Sequence, residues 1–151
     1  MNTNKGRRSF SLNYLFASFF GALMIAGAFA YFNYRFSEYK FIDFDKWIYY
    51  RKSDIFQPDK ERYLVLFYSS SMQDVGKILE KMDRKEPILA VDLYLTRPEE
   101  DSSAIYITSG TNTLLKMIQR FNIYEAPCYF YIKRIRNGLY KQDSAVNLIE
   151  L

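Results

Sequence analysis

An α/β domain carried behind a single membrane-spanning helix is the architecture the sequence predicts, on three observations. Residues 12–32 (LNYLFASFFGALMIAGAFAYF) run for 21 positions without a charge. Two apolar runs, residues 63–68 (YLVLFY) and 88–95 (ILAVDLYL), flank a segment whose apolar residues recur at helical spacing. A third run, residues 129–135, alternates and leads to Asn137-Gly138, the strongest short hairpin signal.

The first run, as a helix rising 1.5 Å per residue, covers about 30 Å, the thickness of a bilayer's hydrocarbon core. Lys5, Arg7 and Arg8 precede it with no acid to offset them, whereas Glu38 partly balances Arg35 and Lys40 behind it. The positive-inside rule then divides the chain into a cytoplasmic basic tail (1–11), a signal anchor (12–33) and an exported domain (34–151). A bacterial inner membrane with a periplasmic domain fits this division, and an organellar membrane is the alternative. The rival reading is a cleaved signal peptide, because Ala28-Phe29-Ala30 has the A-x-A pattern. The apolar run exceeds the usual h-region, which favours the anchor. Ser18, Ala22, Ala26 and Ala30 recur every four residues and give the helix a small face suited to a second helix.

Within the domain, residues 40–44 (KFIDF) alternate as a short strand, and Asp45 or a neighbour is expected to cap a helix through Trp47, Ile48, Tyr49 and Tyr50, ending before Pro58. Residues 63–68 read as the central strand, apolar enough to be buried on both faces. Val75, Ile78, Leu79 and Met82 predict a helix, and residues 88–95 a second buried strand, together a βαβ crossover. Residues 96–103 (TRPEEDSS) form a polar loop, and 104–108 add a few extended positions. Thr111 or Thr113 is expected to cap a helix carrying Leu114, Leu115, Met117, Ile118 and Phe121. After Pro127 the strand 129–135, the Asn-Gly turn and a return strand 139–142 follow, with residues 144–151 expected to close the domain as a helix.

Composition narrows the chemistry. The net charge of +4 falls to +1 beyond the basic tail (21 bases less 3, against 17 acids), a poor match for nucleic acid, which rewards a concentrated basic face. There is no histidine, so a Ser-His-Asp triad, a Cys-His dyad and the common zinc and haem ligand sets are excluded within this chain. One cysteine, Cys128, permits neither an internal disulfide nor a CxxC dithiol. No Walker A loop, GxGxxG turn or EF-hand ladder is present. The sequence therefore predicts no cofactor, metal or small-molecule substrate. The 14 tyrosines and 13 phenylalanines exceed what one small core is expected to bury and suggest a surface covered by other proteins. An AT-rich genome enriches the same residues.

The succession β-α-β-α-β-α-β-β-α over residues 40–151 resembles the thioredoxin fold, a central mixed sheet flanked by helices. The segment 121–138 (FNIYEAPCYFYIKRIRNG) is similar to the passage in which that family's helix ends, a turn enters a cis-proline, and an apolar strand reaches an Asn-Gly hairpin. Where the family carries CxxC after its central strand, this chain reads Ser69, Ser70, Ser71, Met72, Gln73, Asp74, Val75. Thiol-disulfide exchange needs an attacking and a resolving thiol, so the resemblance implies a redox-dead, non-enzymatic module used for binding. It also implies that Pro127 is cis and sits beside the serine loop, with an edge open to an extended peptide.

Ser69, Ser70, Ser71, Met72, Ala126, Pro127 and Cys128 are accordingly the candidate partner-binding residues. Each has a plainer reading. The serines suit a turn and a helix cap, with no base in view to activate a nucleophile. Cys128 enters an apolar strand, where free cysteines are commonly buried and inert. Glu99, Glu100 and Asp101 are adjacent rather than spaced as calcium ligands are. Lys133, Arg134, Arg136 and Lys141 surround the hairpin, where they suit lipid headgroups, an acidic partner or the guarding of a sheet edge. The function expected is a membrane-anchored interaction module, an accessory or structural subunit of an envelope assembly for secretion, conjugation or motility. A periplasmic chaperone-like binder of extended segments and a monothiol redox protein acting through Cys128 are the alternatives.

Overall fold

The longest apolar stretch becomes the longest helix. In the computed structural model, which describes residues 11–38, 40–96 and 103–151, helix α1 spans Leu12–Glu38, and residues 12–35 are long and apolar enough to cross a membrane. None of its apolar window is buried by protein, unlike the core helix of a soluble domain. The helix continues past residue 33, the predicted end of the anchor. Ser18, Ala22, Ala26 and Ala30 all lie exposed along it. Most of the basic tail precedes the described residues.

The chain divides into two units, Met1–Glu38 and Tyr39–Leu151. The second is built on the strand the sequence marks as central, β4 (Arg62–Tyr68), whose last six residues are all buried. Because strand side chains alternate, Tyr63, Val65 and Phe67 enter one core and Leu64, Leu66 and Tyr68 the other. Helix α2 (Val75–Lys81) covers the second core through Ile78 and Leu79. It returns the chain to β5 (Ile88–Asp92), which pairs parallel to β4 with Leu64 opposite Ile88 and Tyr68 opposite Asp92. Strand β6 (Ile105–Ile107) pairs parallel to β5. Helix α3 (Thr111–Arg120) covers the first core with Leu114 and Met117. Then β7 (Cys128–Arg136) runs antiparallel to β4, turns at Asn137-Gly138 and returns as β8 (Leu139–Gln142). Strand β1 (Phe41–Asp43) pairs with β8, giving the order β1-β8-β7-β4-β5-β6.

Four expectations fail for physical reasons. Residues 45–50 form no helix. The Asp43 carboxylate accepts from the amides of Asp45 (3.1 Å) and Lys46 (3.4 Å), a local turn that competes with helix. The following aromatic run, poor in helix propensity, enters a hairpin of β2 (Tyr50–Arg51) and β3 (Asp54–Ile55), with Tyr50 bridging Thr108. Neither Thr111 nor Thr113 caps α3, whose N-cap is Gly110 with no side-chain hydrogen bond. Strand β5 stops at Asp92 rather than 95, because that carboxylate organises the turn behind it. Residues 144–151 give a strand, β9 (Asn147–Leu148), not a helix. Ser144 Oγ accepts from the Tyr131 amide at 2.8 Å, and Asn147 and Leu148 pair with Tyr129 and Cys128, completing a β7 edge that β8 leaves bare.

The aromatic surplus is largely absorbed inside the domain and along α1. Phe44, Tyr49, Phe56, Tyr63 and Tyr140 pack ring against ring at centroid distances of 5.4–6.2 Å, and the hydroxyls of Tyr49 and Tyr140 reach Met117 Sδ and the Lys60 carbonyl.

Candidate functional site

Parallel β4 and β5 both end where antiparallel β7 begins, so topology alone gathers residues 69–74, 93–96 and 122–127 at one end of the sheet. Side chains then tie these loops together. Gln73 Oε1 accepts from the Ser69 amide at 2.9 Å while its Nε2 donates to the Ala126 carbonyl at 3.0 Å. The serine loop and the Pro127 turn are therefore adjacent, and the Ala126–Pro127 peptide is cis, as the resemblance implies. Ser69 is buried, with its Oγ 3.1 Å from that of Ser71, and its carbonyl accepts from the amides of Met72 and Gln73. The serines shape a turn. The cap of α2 falls to Asp74, which accepts from the Gly76 amide at 2.9 Å.

The residue that sequence reasoning missed is Asp92. It ends β5 at only 4% exposure, and its carboxylate accepts from the amides of Ser70 (3.0 Å), Tyr94 (3.0 Å) and Thr96 (3.1 Å) and from the Thr96 hydroxyl. The Thr96 and Ser70 hydroxyls lie 2.7 Å apart. Burial alone would raise this carboxyl's pKa. The hydrogen bonds from Ser70, Thr96 and the Tyr94 amide outweigh it and hold the pKa below the usual carboxylate range. The only sequence signal was a lone acid inside ILAVDLYL, where an unpaired charge would be costly. With its lone pairs spent on three amides and a hydroxyl, Asp92 is a staple between loops and a weak base toward Ser70.

Around the staple four of the exposed side chains are large and apolar, interspersed with exposed Ser70, Ser71, Asp74, Thr96, Asn122 and Glu125. Met72 is 80%, Tyr94 63%, Leu95 38% and Tyr124 90% exposed, all on the three tied loops. Leu95 holds φ at 60°, a left-handed conformation that the Asp92 turn imposes. Cys128 faces the other way. It is fully buried, and burial pushes its thiol up to about 11, so little thiolate forms near neutral pH.

The edge beside Pro127, expected to be open to an extended peptide, is taken by the chain itself. Cys128 pairs with Leu148, Tyr129 with Asn147, and the Ile149 amide donates to the Pro127 carbonyl at 2.9 Å. The seven candidate residues are thus brought to one end of the sheet, but three of them, Ser69, Pro127 and Cys128, are buried there. No family model, curated protein or solved structure matches this chain.

Other features lie elsewhere. The acidic run 99–101 falls outside the described residues, and among the described residues no three His, Cys, Asp or Glu side chains converge as a metal would require. An open cleft of about 390 Å³ sits by the β2–β3 hairpin, bordered by Arg51, Asp54, Asp59 and Ile105, where β4 and β6 begin and hence away from the serine loop.

Proposed function

We propose that this chain is a non-catalytic, membrane-anchored module that grips partner proteins through the loops around Asp92, as an accessory or structural subunit of a cell-envelope assembly for secretion, conjugation or motility. The observation that carries this reading is the exposed apolar rim of Met72, Tyr94, Leu95 and Tyr124 on loops locked by Asp92 and Gln73. Apolar side chains presented on ordered loops cost little further entropy when a partner covers them, and aromatic residues and methionine are enriched in interface cores. The bases ahead of α1 support an orientation with the N-terminus in the cytoplasm and the domain outside it, in a bacterial inner membrane or, alternatively, an organellar one.

The thioredoxin-like reading belongs to the same proposal. It is supported by the run β4-α2-β5, by α3 leading through a cis Ala126–Pro127 bond into β7, and by the Asn-Gly hairpin to β8. Residues 45–58, without a helix, and β9 in place of a closing helix depart from it. A chaperone-like binder remains the second reading. It requires an extended segment to displace residues 147–149 from the β7 edge. The monothiol reading requires a buried Cys128 to open.

Purifying the tagged chain from native membranes in mild detergent tests the proposal. A fixed-ratio set of partners is expected, lost in a Met72→Ser/Tyr124→Ser variant whose melting temperature is unchanged. Partners captured only by cross-linking, in scattered substoichiometric amounts and near Pro127, would overturn it in favour of the chaperone-like binder.

A further inference from the structure

On the face of the sheet that α2 covers at Leu64, Leu66 and Ile88, the strands β7 and β8 carry the exposed residues Lys133 and Lys141. On β1 and β8 the residues Ile42 and Tyr140 are fully buried toward α3, which turns Phe41 and Lys141 to the opposite side. On that side, strand register aligns four residues across four strands: Phe41 opposite Lys141, Lys141 opposite Lys133, and Lys133 opposite Arg62. Neighbouring strands lie about 4.8 Å apart, so three cations occupy a row roughly 10 Å long. Like charges directly opposite one another destabilise a sheet. Arg62 is partly compensated by Asp143 at 3.2 Å and lies over the Tyr131 ring, yet its Nε is buried without a hydrogen-bond partner. Lys133 has no acidic partner among the described residues, and Lys141 has only the face of the Phe41 ring, 5.7 Å away. Strand register thus lines up a positive stripe edged by aromatic rings, whose repulsion an external anion would relieve.

We propose that this stripe, Arg62, Lys133 and Lys141 with Phe41, docks on the anionic headgroups of the membrane that α1 crosses. The inference rests on the anchor reading. Only Tyr39 and Lys40 separate Glu38, at the end of α1, from Phe41 in the sequence, so the stripe begins on the strand with the shortest covalent tether to the bilayer. A membrane surface is flat and rich in phosphate, and cations within a Debye length of it, about 8 Å at physiological salt, are attracted. A phenylalanine beside lysine stems suits the boundary between headgroup and acyl chain.

The test uses the full chain reconstituted into nanodiscs of phosphatidylcholine alone or mixed with phosphatidylglycerol, with brief acetylation read by mass spectrometry. In the anionic discs, Lys133 and Lys141 are expected to react about fivefold more slowly, the factor corresponding to about 1 kcal/mol per cation, with protection lost at high salt. Lys116, exposed on α3 across the sheet, serves as the unchanged reference. Equal reactivity in both discs overturns the proposal. Equal reactivity in discs combined with protection in native membranes also overturns it and makes an acidic protein the occupant. A chain that fails to remain with the discs at all contradicts the anchor reading itself, and the inference with it.

Discussion

Asp92 accepts four hydrogen bonds, one from the serine loop through the Ser70 amide and three from Tyr94 and Thr96 in the turn behind β5, and so the rim's geometry depends on a buried residue that is not part of it. Replacing it with alanine leaves buried donors unsatisfied, at a cost of about 3 kcal/mol. Asparagine keeps one acceptor oxygen and costs less. Because its folded pKa is lowered, Asp92 contributes stability that is present above the unfolded value, near 3.9, and is lost as pH falls through the folded one. Urea midpoints in detergent are therefore expected to drop on acidification below about pH 4 in the native chain, and the Asp92→Asn variant is expected to lose that part of the drop. Cys128 makes a simpler prediction. Maleimide at pH 7 labels it only after denaturation, and Cys128→Ser, if it folds, keeps its partners. The sequence already pointed to this burial, since Cys128 opens an apolar strand. Asp92 was illegible because its role lies in donors 22 residues earlier and four residues later, which no local spacing reveals.

At the scale of elements, the Asn137-Gly138 hairpin carries a constraint beyond its turn. Gly138 holds φ at 77°, and a Cβ there would lie 2.5 Å from a carboxylate oxygen of Asp45, while its carbonyl accepts from the Phe44 amide at 2.7 Å. Gly138→Ala is expected to destabilise the domain by about 2 kcal/mol, and Asp45→Ala in the same chain to recover the steric part but not the strain of the positive φ. Denaturation midpoints of the two variants and the double variant separate these contributions. The strands of the central sheet and the two domain helices were readable because apolar periodicity is local. What was not readable was settled at a distance. Residues 45–50 have a helical-looking cluster of apolar side chains, but Phe44 and Tyr49 are drawn into an aromatic core shared with Tyr140. Residues 144–151 fit a short helix by pattern, yet the bare edge of β7 offers hydrogen bonds that an isolated helix of that length lacks.

For the whole molecule, the domain brings two different surfaces to one chain: an apolar rim at the C-terminal ends of β4 and β5, and a basic stripe on the β1-β8-β7-β4 face. The α/β class, the apolar helix and the serine loop beside Pro127 were all foreseen in the sequence. The rim was foreseen only at Met72, because exposure of Tyr94 and Tyr124 follows from loops turning outward and not from residue type. Whether the rim holds partner proteins is read by site-specific photo-cross-linking in native membranes from position 124, with position 116 on α3 as the control. One or a few defined adducts are expected from position 124, with partners that also copurify with the uncross-linked chain. Adducts equally diffuse from both positions would mean that the rim is not a partner-binding surface.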